Sequence, residues 1–258
     1  MKLVKLLLLG VISATLLSAC GGGDDDDLDD RLDIADPKVR FVHAIPAGPN
    51  VTLYRNGAAS ADATNVGYKF ASQYFDVSEG QSELSVKSTD GATSYGTVTF
   101  DAKRGDKYTA VALIGDNVTD VLLIEDPYNK ELTSNDARVR VANAAFNAQN
   151  IDVYLTEPTV DINTVTPSFA AVGYKTANPA SGNDSQSLEG GDYLLRITAA
   201  GSKTVIFQSP VTLAKNADWL LLPIPVDGIG ALVPNSIKVL VAKSDDESKA
   251  TIELTNTP

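Results

Sequence analysis

The sequence predicts an all-β protein built from two tandem antiparallel β-sandwiches of the immunoglobulin-like or Greek-key kind. Three observations support this fold class. A sixteen-residue segment at 39–54 recurs at 139–154, one hundred positions later. Short stretches that alternate apolar and polar residues fill both halves of the chain, and turn-forming residues separate them. No apolar stripe with a helical period interrupts this pattern over a useful length.

The recurring segment reads VRFVHAIPAGPNVTLY in the first copy and VRVANAAFNAQNIDVY in the second. Val, Arg, Ala, Asn and Tyr return at matching places, and Val-Gly-Tyr-Lys also occurs twice, at 66–69 and 172–175. The motif residues are Val39, Arg40, His43, Ala44 and Tyr54, then Val139, Arg140, Asn143, Ala144 and Tyr154. We interpret the segment as a structural motif that forms the first hairpin of each of two duplicated domains.

The N-terminus has the three parts of an export signal, which are a positive start, a short apolar core and small residues before a cleavage site. The core ends at Leu17 and is shorter than the roughly 20 residues that span a bilayer. The ending Leu17-Ser18-Ala19-Cys20 resembles the bacterial lipoprotein box, in which the cysteine is lipidated. We therefore expect a signal peptide at 1–19, a bilayer anchor at Cys20 and, because Gly21 rather than Asp follows, the outer membrane.

Residues 20–37 are predicted to be the lipidated cysteine and a flexible acidic tether. Three glycines and four consecutive aspartates follow Cys20. Glycines give flexibility, and carboxylates that repel one another keep a linker extended. Calcium binding is the alternative, but the spacing lacks the turn glycine and graded ligands of a calcium loop.

Composition excludes several classes of function. Asp and Glu number 33 against 21 Lys and Arg, which disfavours nucleic acid because its phosphates are bound by cations. The chain has one Cys and one His, so it cannot form an internal disulfide, a cysteine-rich zinc site or a paired-histidine site. We expect no metal and no cofactor, and the sequence leaves the oligomeric state open.

The remaining chain divides by its turn signals. The first sandwich is predicted at 38–126, a linker at 127–136, the second sandwich at 137–245 and a C-terminal tail at 246–258. The second copy carries longer loops than the first, at 156–186 and 227–235. Loops in which duplicated domains differ are places where a binding function can arise, although surface loops also tolerate neutral insertion.

No catalytic constellation stands out. His43 is the only imidazole, yet Asn143 takes its place in the second copy, and Asn cannot act as a general base. Arg104-Gly105-Asp106 spells an adhesion tripeptide at a position where a hairpin turn is expected anyway. The loop carboxylates that paired-carboxylate hydrolysis would need have no distinguishing context. These candidates are Asp62, Asp76, Asp161 and Asp184.

The first motif, the following VGYK and the segment RGDKYTAVAL resemble the bacterial domain-of-unknown-function 4397 family. The second copy departs from the family pattern, since Asn143 replaces the His and Phe146 replaces the Pro. The resemblance implies a β-sandwich on an exported bacterial protein, and it brings no activity or catalytic residues.

These features predict a lipid-anchored lipoprotein of the bacterial outer membrane, on its periplasmic or outer face. We expect a non-catalytic binding or structural module rather than an enzyme, with an envelope protein or polysaccharide as its candidate partner. Two alternatives stay open: a hydrolase of envelope polysaccharide that uses paired carboxylates, and a cell-surface adhesin.

Replacing Cys20 with Ala is expected to release the protein from the membrane, because the only acylation site is lost. Fractionation of cells into membrane and soluble pools would measure this release. Ser18→Gly, which keeps a small residue before the cysteine, is the control and should stay in the membrane pool. A Cys20→Ala protein that remains in that pool would contradict lipid anchoring.

Overall fold

The computed structural model describes residue 29 and residues 31–32, 34–114, 120–244 and 248–257. Cys20 and the predicted signal peptide lie outside these ranges. The described strands are β1 (Lys38–His43), β2 (Val51–Arg55), β3 (Ala58–Ala59), β4 (Phe75–Asp76), β5 (Gly80–Ser88), β6 (Ser94–Ala102), β7 (Lys107–Leu113), β8 (Asp120–Asp126), β9 (Ala137–Ala142), β10 (Asn150–Thr156), β11 (Phe169–Gly173), β12 (Ala177–Asn178), β13 (Gln186–Leu188), β14 (Gly191–Ala199), β15 (Val205–Leu213), β16 (Asp218–Pro225), β17 (Ile237–Lys243) and β18 (Ile252–Leu254).

Short 3₁₀ helices lie at Ala61–Ala63, Ile162–Thr164 and Gly228–Leu232. No helix among the described residues is long and apolar enough to cross a membrane. The predicted all-β fold class is confirmed, because strands in four sheets account for the architecture.

The first sandwich pairs a sheet of order β4-β1-β7-β8 with a sheet of order β3-β2-β5-β6. The second pairs a sheet of order β12-β9-β16-β17-β18, in which β13 also pairs with β9, with a sheet of order β11-β10-β14-β15. We call the sheets that contain β1 and β9 the inner sheets and the other two the outer sheets. Each sandwich has its own apolar core, around Phe41 and Leu84 in the first and around Phe169 and Leu195 in the second.

The repeated motif does not form a hairpin, which corrects the prediction. β1 lies in an inner sheet and β2 in the opposite outer sheet, and β9 and β10 are divided in the same way. The turn after β1 contains Pro46 and Pro49, which have no backbone N–H to donate to a hairpin ladder, but the equivalent turn at 143–149 contains no proline and crosses between sheets in the same way.

Each sandwich also contains one parallel strand pair, whereas the sequence predicted antiparallel sheets. β1 runs parallel to β7 with Val39 opposite Tyr108, and β9 runs parallel to β16 with Val139 opposite Trp219. Several strands separate the members of each pair along the chain, so no tight turn forces them to be antiparallel. The equal registers are a direct structural consequence of the duplication.

The two inner sheets pack against each other and form a third apolar core. Val42 and Leu113 of the first sandwich cluster there with Leu222 and Leu240 of the second. All eight residues of β16 are consequently buried. This four-layer arrangement explains the continuous apolar run at the end of β16, because a strand covered on both faces does not need to alternate.

A buried ionic cluster closes one end of this interface. Asp126, the last residue of β8, forms ion pairs with Arg138 and Arg140 of β9 and a hydrogen bond with Ser185. Burial opposes ionisation of Asp126, but the two guanidinium groups outweigh it and hold the pKa of this carboxyl below its usual value. The cluster therefore joins the first sandwich to the second with opposite buried charges.

Replacing Asp126 with Asn is expected to lower the free energy of unfolding by about 3–5 kcal/mol, because two buried arginines lose their counter-charge. Urea unfolding at neutral pH would measure this loss. Asp101→Asn changes an exposed carboxylate and is the control, with an expected effect within about 0.5 kcal/mol. Equal stabilities for the two variants would show that the cluster does not hold the sandwiches together.

Candidate functional site

The charged residues of the repeats cross the interface reciprocally. Arg40 is buried and donates to the carbonyl of Ala242 in the second sandwich, while Arg140 pairs with Asp126 of the first. The repeated Val-Gly-Tyr-Lys segment also reaches across the interface. Its first lysine, Lys69, forms an ion pair with Glu253 at 2.7 Å, and its second lysine, Lys175, forms an ion pair with Asp120 at 2.9 Å. The arginine and lysine of both repeats therefore contribute contacts between the two sandwiches.

The remaining motif residues are packed in the fold. Val39 and Val139 are fully buried within their own sandwiches, and Ala44 and Ala144 lie in the core between the inner sheets. In the outer sheets, Tyr54 is half-buried and Tyr154 is buried.

His43 and Asn143 make similar hydrogen bonds at the turn after β1 and β9, and Asn143 also donates to the carbonyl of Val172. The Nδ1 atom of His43 accepts from the N–H of Ile45 at 3.4 Å, and its Nε2 atom lies 2.9 Å from the carbonyl of Pro49. The side chain of Asn143 accepts from the N–H of Ala145 at 2.9 Å and donates to the carbonyl of Ala148 at 2.8 Å. Both side chains thus brace a turn from inside.

These two contacts require a neutral imidazole with its proton on Nε2. Burial lowers the pKa of His43 below its usual value, and the hydrogen bond to Pro49 opposes that effect only in part. Since both ring nitrogens are occupied and the residue is fully buried, the imidazole cannot reach a substrate.

The four carboxylates considered for hydrolysis lie on separate elements, and Asp184 also lies 3.7 Å from the buried Arg138. Asp62 accepts from Ser60, Asp161 caps the 3₁₀ helix at Ile162–Thr164, and Asp184 accepts from the backbone and side chain of Asn129. Asp76 is an exposed residue of β4. The structure does not bring these candidates together into a pair.

Asp106 belongs to the Arg-Gly-Asp turn, and its side chain is turned inward. Its carboxylate lies 3.2 Å from the hydroxyl of Tyr108, which also donates to the carbonyl of Asp101. Burial raises the pKa of Asp106 to about 6, and the neighbouring Glu125 adds to that effect. Arg104 is held by Asp36 and Glu79. The tripeptide is therefore part of a packed turn and does not display its aspartate.

The longer loop at 156–186 is occupied by contacts within the chain. Arg140 donates to the carbonyls of Pro179, Ala180 and Asn183, while the N–H of Gly182 donates to the carbonyl of Glu125 on the first sandwich. Its earlier part is fixed by Lys203, which donates to the carbonyls at 162 and 165. This insertion docks one sandwich on the other.

The second long loop, at 227–235, has a different character, and we call it the distal loop. It presents three aliphatic side chains to solvent: Ile229 is 89% exposed, Leu232 77% and Val233 54%. The sequence indicated this loop as a place of divergence but did not single out its apolar residues. The signal was available in the run Gly-Ile-Gly-Ala-Leu-Val-Pro at 228–234, which places large apolar side chains in a loop.

The distal loop has a fixed backbone. The N–H of Val233 donates to the carbonyl of Gly230, and Asn147 donates to the carbonyls of Val233 and Ser236. A Cβ atom at Gly230 would lie 2.6 Å from a methyl group of Val226, so a larger residue there would require Val226 to move. The aliphatic side chains are therefore held outward by a built turn.

A groove of about 500 Å³ with a mixed lining begins at the base of this loop, and Phe207 and Ile237 are buried at its floor. It lies between β15, β17 and β18 on the open side of the second sandwich. Its apolar lining is Phe207, Val226, Ile237 and Leu254, and its polar rim is Asp227, Lys238, Glu253, Thr255 and Asn256. A concave apolar site with a few polar groups is the usual form of a binding pocket, roughly 300–1,000 Å³ in volume.

The charges at the rim are internally balanced. Lys238 lies 2.7 Å from Asp227 and 3.3 Å from Glu253. Burial acts to lower the pKa of Lys238, but its hydrogen bond to Asp227 and the nearby Glu253 carboxylate outweigh burial and raise it. Burial acts to raise the pKa of Glu253, yet Lys69 and Lys238 hold it below its usual value. The groove therefore offers apolar surface flanked by paired charges.

The distal loop and the N-terminal segment lie at opposite ends of the second sandwich. Arg31 donates to the carbonyls of Glu131 and Leu132, just before β9 begins, whereas the distal loop follows the end of β16. β9 and β16 are parallel, and the eight residues of β16 rise about 25 Å at roughly 3.3 Å each. We call the distal loop and the groove together the distal face.

Comparison with known families agrees with the sequence resemblance. Residues 37–154 match the model of the family described as Domain of unknown function (DUF4397). The DUF4397 match covers the whole first sandwich and continues through β9 and most of β10, so it includes both copies of the repeated motif. No curated protein matches the chain significantly.

Solved structures with similarity to this chain are distant. A family 41 carbohydrate-binding module from streptococcal virulence factors, which recognises alpha-glucan, is 13% identical, with 72% of this chain and 93% of that chain covered at a TM-score of 0.22. A family 26 carbohydrate-binding module from Eubacterium rectale, solved with maltoheptaose, is 8% identical. The similarity covers 83% of this chain and 99% of that chain, at a TM-score of 0.22. A candidate cell adhesion protein from Bacteroides ovatus is 10% identical. The similarity covers 87% of this chain and 99% of that chain, at a TM-score of 0.21. Scores this low carry no argument about function.

Among the described residues, no group of three or more His, Cys, Asp or Glu side chains could hold a metal ion. The aromatic side chains in the same part of the chain are buried or half-buried, and none is exposed. Exposed apolar surface is therefore aliphatic, and the distal loop carries the most exposed of it.

Replacing His43 with Asn is expected to remove part of the acid sensitivity of folding. Below about pH 6.5 the unfolded chain binds a proton at His43 while the folded chain, whose His43 pKa is lowered, does not. The wild type should therefore lose up to about 1.4 kcal/mol of stability per pH unit in this window. Urea unfolding of both proteins between pH 7.5 and 5 would measure the difference.

At pH 7.5 the His43→Asn variant should stay folded with a loss of about 1 kcal/mol, because Asn143 shows that an amide can make these bonds. His43 is the only histidine, so the difference between the two pH profiles isolates its contribution. Parallel profiles would show that His43 binds protons equally in the folded and unfolded chains, which contradicts a lowered pKa.

Proposed function

We propose that the protein is a lipid-anchored, non-catalytic binding module of the bacterial envelope and that its distal face binds the partner. The observation that carries this proposal is the distal loop, which holds Ile229 and Leu232 almost fully in water. Contiguous exposed apolar surface of this kind is typical of interaction sites, because a soluble protein gains nothing from exposing it.

The position of the distal face suits a tethered module. The lipoprotein box would attach Cys20 to the outer membrane, and the acidic segment that follows would keep the sandwiches away from the bilayer. The described N-terminal residues contact the end of the second sandwich opposite to the distal loop. A partner in the envelope would then meet the distal face first.

The chemistry of the distal face favours an apolar protein surface over a polysaccharide. Sugar sites on sandwich domains commonly use aromatic rings as stacking platforms, and no aromatic ring in the described residues is exposed. The rim charges of the groove are already paired with one another, so a charged polymer would find no free counter-charge there. Aliphatic side chains of a partner would bury both the loop and the groove.

A photo-crosslinking amino acid at position 229, in protein expressed in its native cells, tests this proposal. We expect covalent capture of a specific protein, because the Ile229 side chain would lie inside the contact. The matched control is position 132, since Leu132 is a 55% exposed aliphatic residue at the opposite end. Capture of the same products from both positions, or of only lipid or polysaccharide from position 229, would contradict the proposal.

A further inference from the structure

A small cavity lies between the two sandwiches, beside the ionic cluster of Asp126. Both sandwiches contribute to its polar lining, which includes Arg40, Tyr74 and Thr109 of the first and Asp218 of the second. The cavity has a volume of about 10 Å³. A single buried water molecule needs roughly 10–15 Å³ measured in this way, so the cavity has room for one.

Arg40 lines this cavity without a full set of partners. The residue is 3% exposed, and its Nε–H has no hydrogen-bond acceptor among the described residues. Its two hydrogen bonds, to the carbonyl of Ala242 and the hydroxyl of Thr109, are both 3.4 Å long, which is weak for an N–H donor. It lies over the ring of Tyr74 at 4.8 Å but forms no ion pair with a carboxylate in the described part of the chain. A buried guanidinium in this situation needs an acceptor and a counter-charge.

The duplication explains why the arginine of the first repeat lacks a direct counter-charge. Its counterpart Arg140 pairs with Asp126, which follows the residue opposite Tyr108 in β8. The corresponding place in the second sandwich follows the residue opposite Trp219 in β17, and Ser244 stands there. An uncharged residue therefore takes the place of the carboxylate.

Asp218 offers the missing charge from the second sandwich. It begins β16 and is 7% exposed, and within the described ranges its carboxylate accepts no hydrogen bond and forms no ion pair. Burial raises the pKa of Tyr74, Arg40 acts to lower it and Asp218 acts to raise it, so both charges lie close to this ring. Two opposite charges thus line one cavity without direct contact. A water molecule can accept from the Nε of Arg40 and donate to the carboxylate of Asp218.

We propose that one ordered water molecule occupies this cavity and links the Arg40 guanidinium of the first sandwich to the Asp218 carboxylate of the second. A small anion fits less well, because the carboxylates of Asp126 and Asp218 both line the cavity and would repel it. The arginines of the repeated motif then connect the sandwiches in both directions, Arg140 directly and Arg40 through the water.

A crystal structure of the full-length wild-type protein tests the water directly. We expect one density peak in the cavity, within hydrogen-bonding distance of the Nε of Arg40 and of a carboxylate oxygen of Asp218. Direct contact between the two side chains, or a cavity with ordered walls and no peak, would overturn the proposal. Crystals soaked in bromide provide the control, since an anomalous signal at the peak would identify an anion and also overturn it.

A double-mutant cycle tests the link between the two side chains in solution. Arg40→Met removes the charge and keeps an unbranched stem, and Asp218→Asn removes the charge and keeps the shape. In urea unfolding, each change should raise the unfolding equilibrium constant by about tenfold or more, because it leaves the other charge buried and uncompensated. The effect of the double variant should fall short of the product of the single effects by about threefold or more.

Arg40→Met combined with Asp101→Asn is the control cycle, since Asp101 is an exposed carboxylate of the first sandwich. Its two effects should multiply without coupling. Equal coupling in both cycles, or no coupling between positions 40 and 218, would contradict the water-mediated link. If Arg40→Met does not fold, the density in the wild-type crystal decides the proposal by itself.

Discussion

The pairing of Asp126 with Arg138 and Arg140 is the interaction on which the arrangement of the molecule depends. It joins the last strand of the first sandwich to the first strand of the second, and both arginines are almost completely buried. Charges in such a place are tolerated only when they are matched, so the carboxylate fixes how the inner sheets meet. Their outer faces then become core, which is why Val42 and Leu222 are buried although they point away from their own sandwich cores.

The sequence was sufficient for the fold class because alternation and duplication are local properties of the chain. The equal pairing of Val39 with Tyr108 and of Val139 with Trp219 follows from that duplication. The path between sheets was not predictable in the same way, because a turn that contains Pro46 can close a hairpin or cross to the facing sheet. Which of these occurs depends on strands distant in sequence. The packing of the two inner sheets against each other could not be read from the sequence. The continuous apolar run in β16 indicates a strand that is covered on both faces, but it does not say what covers it.

The comparison of the two copies predicted only part of the candidate site. Comparing His43 with Asn143 correctly removed the histidine from catalysis, and the hydrogen bonds of the two residues explain why they can replace one another. The same comparison identified two divergent loops but could not rank them. The loop at 156–186 is occupied by Arg140 and the first sandwich, a contact 40 residues away in the chain and visible only after folding. Of the two divergent loops, the distal loop is therefore the one whose apolar side chains remain exposed.

Preorganisation gives the distal loop its significance. A flexible loop that carried Ile229 and Leu232 would collapse onto the nearby groove and bury them without a partner. In the structure this loop stays outward, with Asn147 donating to the carbonyls of Val233 and Ser236. The fold therefore maintains exposed aliphatic surface that contributes nothing to its own stability. Rigid apolar projections lose little entropy on binding, and such residues provide most of the affinity at protein interfaces.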